Sequence, residues 1–93
     1  MKLTSQNLQE ILDTARASVR NGEDNFGYSV KDYHFFVCCD YCIDGRDVWT
    51  IEPNVLVDDC AEPIGCSEYV YYCDFAQLLI ACAYLAERYF NEV

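Results

Sequence analysis

The chain has 93 residues, 53% of them hydrophobic, with 16 acidic and 6 basic side chains and a formal net charge of −10. That length and apolar content suit one domain, residues 1–93, built on a single core, and argue against disorder despite the charge. Between Glu23 and Asp74 twelve acids stand against only two bases, Lys31 and Arg46, a balance that repels phosphate and so excludes direct nucleic-acid binding and docking on anionic lipid.

The first predicted element is a helix. Thr4 or Ser5 caps it by accepting a hydrogen bond from an orphan amide of the first turn. Leu8, Ile11, Leu12, Ala15 and Val19 then recur at three- and four-residue spacing as one apolar stripe. Arg16 and Arg20 place positive charge near the C-terminal end, and Asn21-Gly22 stops the helix. "MKLTSQNLQEILDTARASVR" carries polar residues throughout, unlike a secretory signal, and no run approaches the ~18 apolar residues of a membrane span. The expected location is cytoplasmic, where thiols stay reduced. The seven cysteines, an odd number, then read mostly as small buried hydrophobes.

"NGEDNFG" reads as a loop, and from Tyr28 the period becomes two. Strict alternation puts Tyr33, Phe35, Val37, Cys39 and Tyr41 on one face and His34, Phe36, Cys38, Asp40 and Cys42 on the other. Asp44-Gly45 suits the left-handed turn of a tight hairpin; a two-residue turn would pair Tyr41 with Val48 and Cys38 with Ile51, and a longer one would shift both pairs. The return strand "RDVWTIE" is expected to close at Pro53-Asn54, with a short strand "VLVDD" after it. A loop, "CAEPIGCS", leads to a tyrosine-rich segment, "EYVYYC", whose alternation reads as a strand, with the start of a helix as the alternative. Asp74 with Gln77 three residues on then opens a second helix, whose stripe is Phe75, Leu78, Leu79, Cys82, Leu85, Ala86 and Tyr89. The fold class is therefore α+β: a small antiparallel sheet of three or four strands with N- and C-terminal helices on one face, in the order α-β-β-β-(β)-α.

"HFFVCCDYCIDG" concentrates the residues that most resemble chemistry: His34, Cys38, Cys39 and Cys42. A zinc site would draw on Cys39, Cys42, Cys60 and Cys66. Residues three apart on a regular strand face opposite ways, however, and no glycine shapes a knuckle there. A redox pair wants a cysteine with a lowered pKa at a helix N-terminus, whereas aspartates surround these thiols. His34 and Cys38 share a face at too great a distance for a nucleophile–base hydrogen bond. Neither catalysis nor a bound cofactor or metal is expected. The acidic pairs lack the calcium-loop pattern.

What remains is recognition. Same-face residues on a strand repeat at ~6.7 Å, comparable to successive phosphates, so a carboxylate-studded sheet can imitate nucleic acid. Eight tyrosines add large rings with polar tips, a type enriched at interfaces. The expected function is a non-enzymatic protein-binding module whose partner is a basic protein or nucleoprotein complex. Its sharpest form is a nucleic-acid mimic that inhibits a nucleic-acid-processing protein. By size and charge alone, phage inhibitors of the anti-CRISPR or anti-restriction type are its analogues. The candidate contacts are Asp40, Asp44, Asp47, Asp58, Asp59 and Glu62, with Tyr41 and Trp49 as anchors. The alternatives are the zinc protein named above and a structural module in which a homo-oligomer covers the sheet.

Overall fold

The computed structural model describes residues 1–91, and the order along the chain is α1 (Ser5–Arg20), β1 (Asn25–Val30), β2 (Tyr33–Ile43), β3 (Arg46–Val57), β4 (Cys60–Pro63), β5 (Glu68–Tyr71) and α2 (Phe75–Tyr89). The architecture is α+β, with terminal helices and one antiparallel sheet ordered β1-β2-β3, both β4 and β5 lying against the far side of β3. No helix among the described residues is long and apolar enough to cross a membrane.

The helix ends follow their local signals. Thr4 caps α1 by accepting from the Asn7 amide at 3.0 Å, and Asn7 Oδ1 returns the favour to the Thr4 amide at 2.9 Å. At the other end Gly22, with φ +67, lets the Glu23 amide reach the Ser18 carbonyl at 3.0 Å; this left-handed closure suits glycine, which has no Cβ to clash. Asp74 caps α2 by accepting from the Gln77 amide at 3.1 Å. Both helices bury their stripes against one sheet face, where Ile11, Ala15, Leu78, Leu85 and Phe90 meet Phe26, Phe35, Val37, Trp49 and Ile51. Each large side chain so buried contributes about 1.5–3 kcal/mol relative to exposure.

Besides the expected loop "CAEPIGCS", which opens with the strand β4 (Cys60–Pro63), the strands depart from the sequence reading in three places. "NGEDNFG" is partly strand: Asn25–Val30 pairs with β2 through a tight turn at Lys31, whose φ is 54. β3 does not close at Pro53 but runs on to Val57, and the next turn is made by Asp58 and Asp59, with φ 51 and 64. Proline is tolerated because β5 ends its pairing at Ile51 and β4 begins at Asn54, so no ladder partner is missing a donor at Pro53. "VLVDD" is therefore the end of β3 together with its turn.

The third departure has the largest consequence. Asp44-Gly45 does make the expected hairpin, and Tyr41 does pair with Val48, but Cys38 pairs with Thr50 instead of Ile51. Cys39 and Asp40 together oppose Trp49, a β-bulge, and one inserted residue inverts the alternation of everything beyond it. Val37 faces the core with Ile51, whereas Tyr41 turns to the other face with Val48. The five-residue set Tyr33 to Tyr41 expected on one face is thus broken at the bulge.

Candidate interaction face

The side of the sheet away from the helices carries Phe36, Cys38 and Tyr41 from β2, Val48, Thr50 and Glu52 from β3, and Tyr69 and Tyr71 from β5, as the cross-strand pairs require. Phe36 is 40% exposed, Tyr41 57% and Tyr69 52%. Val48 on the same face is only 2% exposed, because its cross-strand neighbours are Tyr41 on one side and Tyr71 on the other. The rings form a shallow canopy: Tyr41 and Tyr69 are 6.1 Å apart between centroids, and the Arg46 guanidinium lies 3.6 Å from the Tyr71 centroid. Beside them a depression of about 270 Å³ is lined by Phe36, Cys38, Asp40, Thr50 and Glu52.

The bulge also makes a second cleft, of about 340 Å³, at the end of the sheet, lined by Glu23, Asp24, Cys39, Asp40, Cys42, Asp47 and Tyr72 among others. Regular alternation would separate Cys39 from Cys42; the inserted residue brings both to this cleft. Burial first, then the charges of Asp47 and Asp24, pushes the Cys39 thiol up from 9.0. Cys38 is raised likewise by burial and by Asp40 and Glu52. Both stay protonated, which disfavours the thiolate that metal ligation or nucleophilic attack requires.

The four cysteines of the zinc reading do not converge. Cys42 is opposite Asp47 and Cys60 opposite Val57, a separation of roughly 33 Å along β3 at ~3.3 Å per residue. No group of three or more His, Cys, Asp or Glu side chains suited to a metal ion occurs among the described residues. His34 has a hydrogen-bonded partner, Ser29 Oγ at 2.8 Å from Nδ1. Two parts of a hydrolytic constellation are therefore adjacent, but the other ring edge lies against Gly27, where a Cβ would stand 2.7 Å from Nε2. No carboxylate orients the ring among the described residues, as such a site would need.

The candidate contacts fall into separate groups. Asp40, Asp44 and Asp47 are exposed at the β2–β3 hairpin end, whereas Asp58, Asp59 and Glu62 are exposed about the β3–β4 turn at the opposite end of β3. Glu23 and Asp24 join the first group through the second cleft, an association the sequence reading missed because the bulge creates it. Tyr41 stands exposed as expected. Trp49 is corrected: it is 2% exposed and packs edge-on against Phe26, Tyr72 and Phe75 at 6.1, 5.2 and 5.5 Å, so it belongs to the core and offers no surface to a partner. Phe36 is also exposed on this face, as is Tyr69, with Tyr71 half-buried beside it. The alternation of "EYVY" was the signal that puts the last two on one face.

No protein-family model matches this chain, and no curated protein or solved structure shows significant similarity to it.

Proposed function

We propose that this domain is a cytoplasmic protein-binding module, without catalytic activity, that engages a basic protein through the helix-free face of its sheet and the acidic hairpin end beside it. The observation that carries the reading is the conjunction on one face: Phe36, Tyr41 and Tyr69 exposed, with Asp40 and Glu52 lining the adjoining depression. Exposed rings rimmed by charge are the composition of recognition surfaces, in which desolvated aromatics supply affinity and charge supplies rate and selectivity. A second copy of this chain is a poor occupant, because two chains of net charge −10 repel.

The finer form is an inhibitor of phage type that occupies the cationic groove of a restriction or CRISPR nucleoprotein in place of nucleic acid. Its support is the charge of −10 on 93 residues and the exposure of all six candidate acids. Two charge-reversal sets test both levels: D40K/D44K/D47K at the hairpin end and D58K/D59K/E62K at the far end. Partners captured from host lysate are purified and titrated against each variant over a range of salt. The hairpin set is expected to weaken binding at least about tenfold and to flatten its salt dependence, with the fold intact by circular dichroism. Unchanged affinity and salt slope in both variants would sink the reading. For the finer form, wild-type protein must also displace duplex DNA from the captured partner.

A further inference from the structure

Among the described residues β5 pairs only with β3, so its outer edge is unpaired, beside the face proposed above for recognition. The Tyr72 amide donates to the Asp47 carbonyl at 3.0 Å, which fixes the phase of the ladder: alternate residues Val70 and Glu68 point their amides and carbonyls at β3, and Tyr69 and Tyr71 point theirs away. The Tyr71 carbonyl accepts from the Asp74 amide at 3.0 Å. The Tyr69 N–H and C=O and the Tyr71 N–H therefore line an open edge. A groove of about 380 Å³ crosses that edge, from Ile43 and Val48 on the open face, past Tyr69 and Tyr71, to Asp74 and Gln77 at the start of α2.

We propose that this edge takes an extended, arginine-bearing segment of the partner as an added strand. The inference rests on the functional reading above and names the partner chemistry for the same face. Strand addition uses main-chain bonds for affinity and alternate side chains for selectivity. The guanidinium preference follows from Arg46, which already stacks on Tyr71 at 3.6 Å. Tyr69, next on that face and 52% exposed, offers the same surface to an incoming arginine. Asp74 in the groove and Asp44 and Asp47 at the neighbouring hairpin supply complementary charge, which selects against an acidic segment or a second copy of this chain.

The test uses isotope-labelled full-length protein and three short synthetic peptides: alternating arginine and valine, the same peptide N-methylated at alternate backbone positions, and alternating glutamate and valine. The arginine peptide is expected to bind and to slow amide exchange at Tyr69 and Tyr71. N-methylation keeps charge and side chains but blocks strand pairing, and is expected to weaken binding about tenfold. Tyr69→Pro removes the outward amide together with the ring and is expected to weaken binding at least as much, whereas Tyr69→Phe keeps both and is expected to bind as the wild type does. Equal binding of both arginine peptides, with resonance changes confined to Phe36, Asp40 and Tyr41, would overturn strand addition while leaving an acidic docking face. Binding of the glutamate peptide as tight as the arginine peptide would overturn the charge argument under both proposals. No binding by either arginine peptide would overturn strand addition, and the charge-reversal variants would then decide the broader reading independently.

Discussion

Arg46, the first residue of β3, lays its guanidinium on the ring of Tyr71 across the sheet, 3.6 Å from the centroid. With Tyr41 and Tyr69 close by, this stack encloses Val48 on a face that no helix covers. A cation–π contact at an exposed site is worth about 0.5–1 kcal/mol. Arg46→Ala is therefore expected to lower stability by about that amount in urea denaturation, and Arg46→Lys to lose less. The same Arg46→Ala change removes one of only two bases in the acidic middle of the chain, so association with a basic partner should become faster at low salt. Slower association would count against electrostatic steering by this end.

Gly65 lies beneath the ring of Tyr89, and a Cβ there would fall onto the ring atoms. The Tyr89 hydroxyl in turn accepts from the Cys66 amide at 3.3 Å and from Arg88 Nε at 3.2 Å, tying the loop between β4 and β5 to the end of α2. Gly65→Ala is expected to cost about 1–3 kcal/mol through overpacking. Tyr89→Phe, which keeps the ring and loses one acceptor, should cost about 0.5–1.5 kcal/mol. Thermal denaturation of the two variants checks the order; an innocuous Gly65→Ala would show that the ring is free to move aside.

The thiols should separate cleanly by reactivity. Cys42, Cys60, Cys66 and Cys73 are exposed, whereas Cys82 is buried in α2 against the sheet, and burial pushes its thiol up to about 12. Alkylation at mildly alkaline pH, followed by peptide mass mapping, is expected to modify the four exposed positions first. Cys82 should react only at the rate of unfolding, and so accelerate with urea. Early modification of Cys82 in native buffer would contradict this packing.

His34 adds a small acid sensitivity. Burial holds its pKa below the ordinary 6.5, so between the lowered value and 6.5 the unfolded chain binds more protons than the folded one. Stability contributed by the neutral ring is present above pH 6.5 and falls away as pH drops through that window. Wild type and His34→Gln melted in parallel from pH 7 to pH 5 should show the wild type losing more. Parallel curves would mean the ring titrates as though free.

The β3–β4 turn is built from two left-handed aspartates, with φ 51 at Asp58 and 64 at Asp59. Glycine takes that conformation without the Cβ strain, and the change also relieves the repulsion of adjacent carboxylates. Asp59→Gly is expected to raise the urea midpoint with unchanged slope, because the left-handed strain relieved, about 1–2 kcal/mol for an L-residue, exceeds the entropic cost of glycine, about 0.5–1 kcal/mol. A lower midpoint would mean the Asp59 side chain holds the turn.

Much of the fold was legible because its signals are local. Thr4, Gly22 and Asp74 cap helices through bonds to residues a few positions away, and the helical stripes declare their buried face by periodicity alone. Asp44-Gly45 likewise announces its turn, with φ 52 and 76. Pro53 misled because its meaning is not local: proline ends a strand only where a neighbour needs its amide, and here β4 and β5 leave that position unpaired.

The candidate site was legible only as an inventory. Composition determined that the surface would be acidic and tyrosine-bearing, and the six candidate acids are all exposed, but alternation alone put Tyr41 on the face of Phe35 and Val37. Which of them act together was decided by the ladder. The bulge at Cys39 and Asp40 carried Tyr41 to the open face and brought Cys39 and Cys42 to one cleft. The length of β3 parted Asp47 from Asp58, and the helices claimed Trp49 for the core. Capping, turn chemistry and amphipathic period are properties of a few neighbouring residues, so the sequence by itself determines them. The face a strand residue occupies depends on counting register along a partner strand, and one inserted residue, which only the tertiary structure reveals, reverses the answer for every residue after it.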